Sequence, residues 1–296
     1  MVKKTLIIGS NGQVARNLKK ILQDDCISLS SAELDLSKTD QIPLILDKFD
    51  FDVIINAAAY TQVDKAEEEF DKAYLVNGIA PGIIAQYAKE KNKTFIHYST
   101  DYVFKGSGNT DLKETDQTNP ISNYGKTKLI GEEQIRKLGG KYLILRTSAV
   151  FDSEGHNFVR TMLKLGKERE ELRIVNDQFT SPTYAFDLAE ATLSLIQKTQ
   201  LNFNTTIYHV CNSGKTTWYE FAKTIFDLAK KYQIPTKVKN IYPITTMEYP
   251  LPAKRPAYSV LACNKLYADY MIKLPNWQES LEKVINLISN QKEGSK

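Results

Sequence analysis

Cysteine is scarce in this chain, with 3 among 296 residues. Cys26, Cys211 and Cys263 have neither metal-ligand spacing nor the even count of a disulfide framework. They read as free thiols of a reducing compartment. Histidine is as rare, and His97, His156 and His209 do not cluster in the sequence, so no metal site and no histidine base is assigned. No apolar run approaches the ~20 residues that cross a bilayer. Strand-like residues begin almost at once and Gly9 interrupts them, which is unlike a signal peptide. An excess of one charge is also lacking. The 39 basic and 35 acidic residues leave a net +4, and the basic residues are scattered. That excludes a nucleic-acid stripe and leaves weak attraction for an anionic ligand. There is no internal repeat and no low-complexity linker. What remains is globular composition, long enough for one large α/β domain or two smaller ones. The expectation is a cytoplasmic protein with no nucleic-acid or membrane partner.

The chain opens on a dinucleotide-binding pattern. Lys4 to Ile8 is a short buried-type strand. It runs into Gly9, Ser10, Asn11, Gly12, Gln13, Val14 and Ala15, and then into a helical pattern through Val14, Leu18, Ile21 and Leu22. Gly9 permits a tight turn, Gly12 lets the backbone approach a pyrophosphate, and a small residue at 15 lets helix and strand pack closely. A second strand, Cys26 to Ser30, ends in Ser30 and Ser31, with Glu33 further on, rather than in the acid that often binds an adenosine ribose. This leaves room for a 2′-phosphate, with Arg16 as its partner. Asp35 and Leu36 either flank an adenine or cap the segment at Thr39. A third strand, Asp52 to Ile55, ends in Asn56, Ala57, Ala58, Ala59 and Tyr60, small residues that suit a cofactor lying across them. A helical region opens at Thr61, and Asn77 inside it must find polar partners. A fourth strand, Thr94 to Tyr98, carries Ser99 and Thr100 at its tip, hydroxyls able either to bond a substrate carbonyl or to cap a turn.

Residues 119 to 132 hold the stretch on which the rest is organised. Asn119-Pro120 is a turn and helix-entry signal, with Ser122 and Asn123 as caps. Tyr124 and Lys128 are four apart and share one helix face. An ammonium beside a phenol favours phenolate, so Lys128 is expected to lower the Tyr124 pKa. Such a tyrosine gives a proton to a carbonyl oxygen as hydride arrives at its carbon. The plain alternative is a solvated tyrosine beside a surface lysine. The other stretches, which fit the same machine, argue against it. A fifth strand, Tyr142 to Arg146, leads into the less regular second half. That half is read as a helix at Phe158 to Leu165, a strand at Leu172 to Val175, a helix at Tyr184 to Ile196 and a strand at Tyr208 to Val210. A helix capped by Thr216 or Thr217 follows, then a Pro-rich loop or strand edge from Pro243 to Pro256, a helix at Trp277 to Ile288, and fraying from Gln291 to Lys296.

With these stretches in hand, the chain resembles an extended short-chain dehydrogenase/reductase, and more closely the dTDP-4-dehydrorhamnose reductase family. The matching stretches are NGQV, NAAAYTQVDKAE, STDYVF, NPISNYGKTKLIGE, LRTS, NFVRTML, NDQFTSPTYAFDLA, YHVCNSG, WYEFAK and PAKRPAYSVL, in order over most of the chain. The resemblance implies an α/β fold: a Rossmann-type doubly wound parallel sheet over residues 1–150 and a smaller C-terminal substrate-binding α/β part over 151–296, some of whose segments return to the first. It implies NADPH, with NADH as the other option, and a nucleotide-sugar substrate, dTDP-4-dehydro-L-rhamnose, reduced at C4. Tyr124 would be the acid, Lys128 its partner and Thr100 the carbonyl-binding hydroxyl. The cofactor would lie on Gly9, Asn11, Gly12, Gln13, Val14, Asp35, Leu36, Ala57, Ala58, Ala59, Tyr124 and Lys128. The substrate would meet Thr61, Val63, Asp101, Tyr102, Asn157, Gln178 and Arg255, whose planar fork suits a pyrophosphate.

The chain departs from the family pattern at Ala15, usually Gly, at Ala149, usually Trp, and at Thr180, usually Gly. The last two fall at the expected sugar pocket, and losing an indole wall admits another sugar or pose. Reduction of another nucleotide-linked 4-keto sugar is therefore an alternative. A further one is a non-catalytic subunit resembling the regulatory subunit of methionine adenosyltransferase. A homodimer is compatible with the resemblance, and no ligand cluster suggests a bridging metal.

Overall fold

The computed structural model describes residues 4–199 and 206–293. Its main sheet has six parallel strands: β1 (Thr5–Ile8), β2 (Cys26–Leu29), β3 (Val53–Asn56), β4 (Thr94–Thr100), β5 (Lys141–Thr147) and β6 (Thr206–His209). Their order is β6-β5-β4-β3-β1-β2. The longer helices are α1 (Gln13–Leu22), α2 (Ala80–Glu90), α3 (Asn123–Leu138), α4 (Phe158–Glu168), α5 (Ala185–Lys198), α6 (Trp218–Lys231) and α7 (Trp277–Glu293). The strands read as continuous Val/Ile/Leu runs because both faces are covered. Successive side chains alternate between two cores. Ile7, Ile55, Ile96, Leu143 and Leu145 meet Leu18 of α1 and Leu188 and Leu195 of α5. Leu6, Ile8, Ile54, Phe95 and Ile144 meet Ile84 of α2 and Ile135 of α3. The second half of the chain thus supplies α5 and β6 to the first layer system. The doubly wound fold that was expected is the one observed.

The remainder of the second half closes on its own core. Phe151, Val159, Leu172, Phe221, Ile225, Trp277 and Leu281 are buried there, brought in by α4, α6 and α7. The pair Glu171–Val175 and Asn240–Ile244 runs parallel, and Phe179–Thr180 pairs antiparallel with Thr216–Thr217. The strand at Asn240–Ile244 extends the Pro-rich edge reading back to residue 240. Most of its side chains are exposed and it contains Pro243, which only an edge position tolerates. Of the two hydroxyls offered as cap of α6, Thr217 accepts the amide hydrogen of Glu220 at 3.2 Å. The final helix runs to Glu293, past the expected end at Ile288, and of the segment expected to fray, residues 294–296 lie outside the described residues. Among the described residues no helix is long and apolar enough to cross a membrane.

One irregularity matters for the site. The helix Phe70–Tyr74 passes into a π-helical turn, Leu75–Ile79, before α2 begins. The wider turn presents Asn77 to the backbone of Tyr60, accepting its N–H at 2.9 Å and donating to its carbonyl at 3.0 Å. Asn77 also donates to Thr127 Oγ1 of α3 at 3.3 Å. The buried amide thereby ties the loop after β3 to the helix that carries Tyr124 and Lys128. Gly131 lets α3 come this close, since a Cβ there would sit 2.2 Å from the Asn77 carbonyl oxygen.

Candidate active site

The chain reverses direction across the sheet between β1 and β3, and the crevice at their carboxyl ends is where open α/β sheets bind ligands. Gly9 turns the chain there with φ +89°, and a Cβ on it would lie 2.8 Å from the Ala58 backbone. Only glycine fits both demands. Gly12 precedes α1 without a side-chain cap, so the amides of the first turn, including Gln13 and Val14, stay directed outward. Ala57, Ala58 and Ala59 form a half-buried floor of small residues. A glycine-lined turn, an uncapped helix N-terminus and a small-residue floor together fit a dinucleotide.

Other residues expected at this end are differently engaged. Asn11 is exposed, and its carbonyl accepts Arg16 Nη1 at 2.7 Å. Arg16 also lies 3.8 Å from Glu154, so it faces the 152–156 loop and not the end of β2, contrary to its expected 2′-phosphate role. Asp35 accepts Ser37 N and Oγ at 3.0 and 2.7 Å, a local loop cap. Leu36 is buried in the core. An acid does lie close to the end of β2, at Glu33. Glu33 folds back to accept Ser30 N and Oγ at 2.7 and 2.8 Å, and the amide bond holds its carboxyl below the usual range.

At the tip of β4, Thr100 and Tyr124 converge on a pocket of about 350 Å³. Ser122 caps α3 by accepting Gly125 N at 3.2 Å, and Gly125 seats the helix against Tyr102, where a Cβ would meet the carbonyl oxygen at 2.2 Å. The Tyr102 and Tyr124 rings meet edge-on at 5.6 Å. Thr100 donates to Asp101 at 3.0 Å, and Ser148 donates to the other Asp101 oxygen at 2.9 Å. Burial pushes the Tyr124 phenol up to about 12, a bond from Thr100 opposing it and the Asp101 charge adding to it. The expected depression of this phenol by Lys128 is therefore not what the structure has. Lys128 is 2% exposed; its Nζ donates to the Tyr98 carbonyl at 2.6 Å and lies 3.2 Å from His97 Nε2. Burial lowers Lys128 to about 8, partly offset by Glu132.

Gln13, Thr61, Val63, Asp101 and Tyr102 line the same pocket, together with Ala149 and Thr180. Ala149 has φ +42°. Gln178 lines both this pocket and a neighbouring cavity of about 870 Å³, walled by Phe158, Trp218, Tyr249 and Arg255. Arg255 makes a two-pronged ion pair with Asp64 at 3.0 and 2.8 Å, which ties the loop after β3 to the 250–256 segment. Asn157 is committed elsewhere. Its Oδ1 caps α4 at Arg160 N, and its Nδ2 donates to Gln13 Oε1 at 2.8 Å and to two backbone carbonyls.

The comparisons with known proteins agree with this geometry. A family model described as RmlD substrate binding domain matches residues 3–290. The chain is 41% identical to the dTDP-4-dehydrorhamnose reductase of Burkholderia thailandensis over 93% of its own length and 95% of that protein's. The chain belongs to the dTDP-4-dehydrorhamnose reductase family. It is 38% identical to the Bacillus subtilis spore coat polysaccharide biosynthesis protein SpsK over 95% of this chain and 96% of that protein. Among solved structures, a dTDP-4-dehydrorhamnose reductase from Bacillus anthracis, in complex with NADP, aligns with TM-score 0.88 at 37% identity, covering 96% of this chain and 99% of that one. One from Clostridium acetobutylicum aligns with TM-score 0.89 at 38% identity over the same shares. Family membership makes the residues missed in the sequence easier to see. Trp218, the first residue of α6, walls both cavities and packs on Phe158 at 4.8 Å. Glu33 lies past the strand end at which a ribose-binding acid is looked for, and His97 stands alone in the sequence.

Proposed function

We propose that this chain reduces the C4 ketone of dTDP-4-dehydro-L-rhamnose to dTDP-L-rhamnose, using NADPH or NADH. The observation that carries the reading is the convergence of Thr100 and Tyr124, at the tip of β4, on a pocket that continues past Gln178 into a larger cavity. Apolar walls at Phe158, Trp218 and Ile244 suit a base and sugar, and Arg169 and Lys254 offer cations for a pyrophosphate, with Arg255 held beside them by Asp64. A reduced dinucleotide with its pyrophosphate on Gly9 and Gly12, lying across the Ala57–Ala59 floor, would supply hydride to the ketone carbon. The Thr100 hydroxyl, whose single hydrogen otherwise rests on Asp101, would turn it to the ketone oxygen and polarise the ketone. Tyr124, a neutral phenol across the working pH range, gives that oxygen its proton, because the incipient alkoxide is a far stronger base than phenolate. Lys128, once protonated and turned towards the phenol, would stabilise the phenolate left behind. The Glu33 carboxylate at the end of β2 suits a ribose hydroxyl, and so supports use of NADH beside NADPH. Three free cysteines suit a cytoplasmic setting.

Ala149 and Thr180 in the pocket wall favour one rival, a different nucleotide-linked 4-keto sugar. Loss of reduced-nicotinamide absorbance, followed with purified protein and a panel of keto sugars, separates the two. Fastest turnover on dTDP-4-dehydro-L-rhamnose supports the first reading, and faster turnover on another sugar replaces it.

A further inference from the structure

Three buried side chains form a line, Asn56 at the end of β3, His97 in β4 and Lys128 on α3, and the chemistry above uses only the last of them. Asn56 Oδ1 accepts the amide hydrogen of Ala58 at 3.1 Å, which fixes the way the side-chain amide faces. Its Nδ2 hydrogens therefore point at His97 Nδ1, 3.2 Å away. A ring nitrogen that faces a donor is the unprotonated one, so the neutral imidazole carries its hydrogen on Nε2. That hydrogen faces Lys128 Nζ at 3.2 Å. An ammonium has no lone pair to receive it, whereas a neutral amine has one. The amine keeps two hydrogens, one of which it donates to the Tyr98 carbonyl at 2.6 Å.

We propose that His97, with its tautomer set by Asn56, is a positioning residue that holds Lys128 as the uncharged amine, and that protonation of Lys128 breaks this contact and frees the ammonium to face Tyr124. The inference rests on the functional reading above for its purpose but not for its geometry. Two independent features agree with it. Burial holds His97 well below its ordinary pKa, so the ring stays neutral and does not compete for the proton. Burial brings Lys128 to about 8, so the ammonium predominates about tenfold at pH 7 and the amine that His97 holds becomes the major form above pH 8. The other charges nearby are already engaged. Glu132, one turn further along α3, is occupied by Arg146 of β5 and Ser99 of β4. Tyr124, one turn back, is a neutral phenol with the buried Asp101 behind it.

The test is nuclear magnetic resonance of the full chain, with histidine labelled with ¹⁵N and lysine with ¹³C at Cε. His97→Phe and Lys128→Arg assign the two resonances. At pH 9 His97 is expected to carry hydrogen on Nε2 and none on Nδ1, and Lys128 to titrate near pH 8, well below the exposed lysines. Asn56→Asp presents a carboxylate to Nδ1, so the ring hydrogen moves there and Nε2 becomes an acceptor for the ammonium. The Lys128 titration then moves up by about 1–2 pH units, and the alkaline limb of kcat moves with it. A wild-type His97 protonated on Nδ1, or a Lys128 titrating with the exposed lysines, overturns the proposal, as does an Asn56→Asp protein with both signals unmoved. The wild-type resonances decide the matter even if that variant fails to fold. They also separate the two readings, because a protein that reduces no keto sugar yet shows both resonances loses the functional assignment and keeps the His97–Lys128 unit.

Discussion

Glu132→Gln is expected to be among the most damaging single substitutions away from the pocket. Glu132 and Arg146 are 1% and 2% exposed. Arg146 donates to both carboxylate oxygens, Nε at 2.9 and 3.2 Å and Nη2 at 2.6 Å, while Ser99 donates to the same group at 2.5 Å. Arg146 Nη1 already has no hydrogen-bond partner, and the Phe104 ring lies 4.9 Å from the guanidinium carbon. Removing the negative charge strands a buried cation, and this class of change costs about 3–5 kcal/mol. With a slope of up to ~3 kcal/mol per molar urea, the unfolding midpoint falls by about 1–2 M. The cost lies in the orphaned charge rather than in lost contact, so Glu132→Leu combined with Arg146→Met should recover most of it. Urea unfolding of the wild type, the two singles and the double gives the coupling directly. A midpoint drop in Glu132→Gln worth less than about 1 kcal/mol, or a double variant as unstable as the sum of the singles, would refute the argument. Because Glu132 raises the Lys128 pKa, Glu132→Gln should also shift any Lys128 titration to lower pH.

Other consequences follow from single contacts. Gly9→Ala forces a side chain onto a backbone at φ +89° and against Ala58, so NADPH affinity read by fluorescence titration should fall at least tenfold, about 1.4 kcal/mol or more. Glu33→Gln removes the carboxylate at the end of β2, so the ratio of kcat/KM for NADPH over NADH should rise several-fold; an unchanged ratio would take Glu33 out of cofactor choice. Asp64→Asn breaks the tie to Arg255, which holds the Asp64 carboxyl below its ordinary range. A lowered folded pKa contributes stability above the unfolded value, near pH 4, and loses it as pH falls through the folded one. Wild type should therefore lose more stability than Asp64→Asn between about pH 5 and pH 3 in thermal unfolding. Equal acid losses would show that the pair is energetically idle.

Local rules made the first half of the fold legible. The strands β1 and β3 announced themselves as short apolar runs, and Gly9 and Gly12 as a turn and a helix start. The pairing of Tyr124 with Lys128 on one face of α3 was also readable, because four-residue spacing is a property of any helix. Which atoms those two side chains touch was not readable. Lys128 is turned to His97 and Tyr98 by strand β4, a partner thirty-odd residues away that no spacing indicates. Asp64 and Arg255 are 191 apart in sequence, and the same is true in kind of Gln13 and Asn157. Glu33 was hidden for a smaller reason: its carboxylate reaches back three residues through a turn, and a strand-end rule inspects only the strand end. The strand Asn240–Ile244 showed little alternation because it packs by one edge, and Pro243 obscured the rest.

The central claim is that the proton comes from Tyr124, and Tyr124→Phe tests it most directly. The substitution removes one oxygen from a ring whose packing against Tyr102 would remain. NADPH oxidation should be measured in single turnover with dTDP-4-dehydro-L-rhamnose, alongside separate binding of both ligands. The account predicts a rate lower by about 10²–10⁴-fold with both affinities within a few-fold of wild type. Near-normal turnover in Tyr124→Phe would contradict it and move the acid to another group in the pocket.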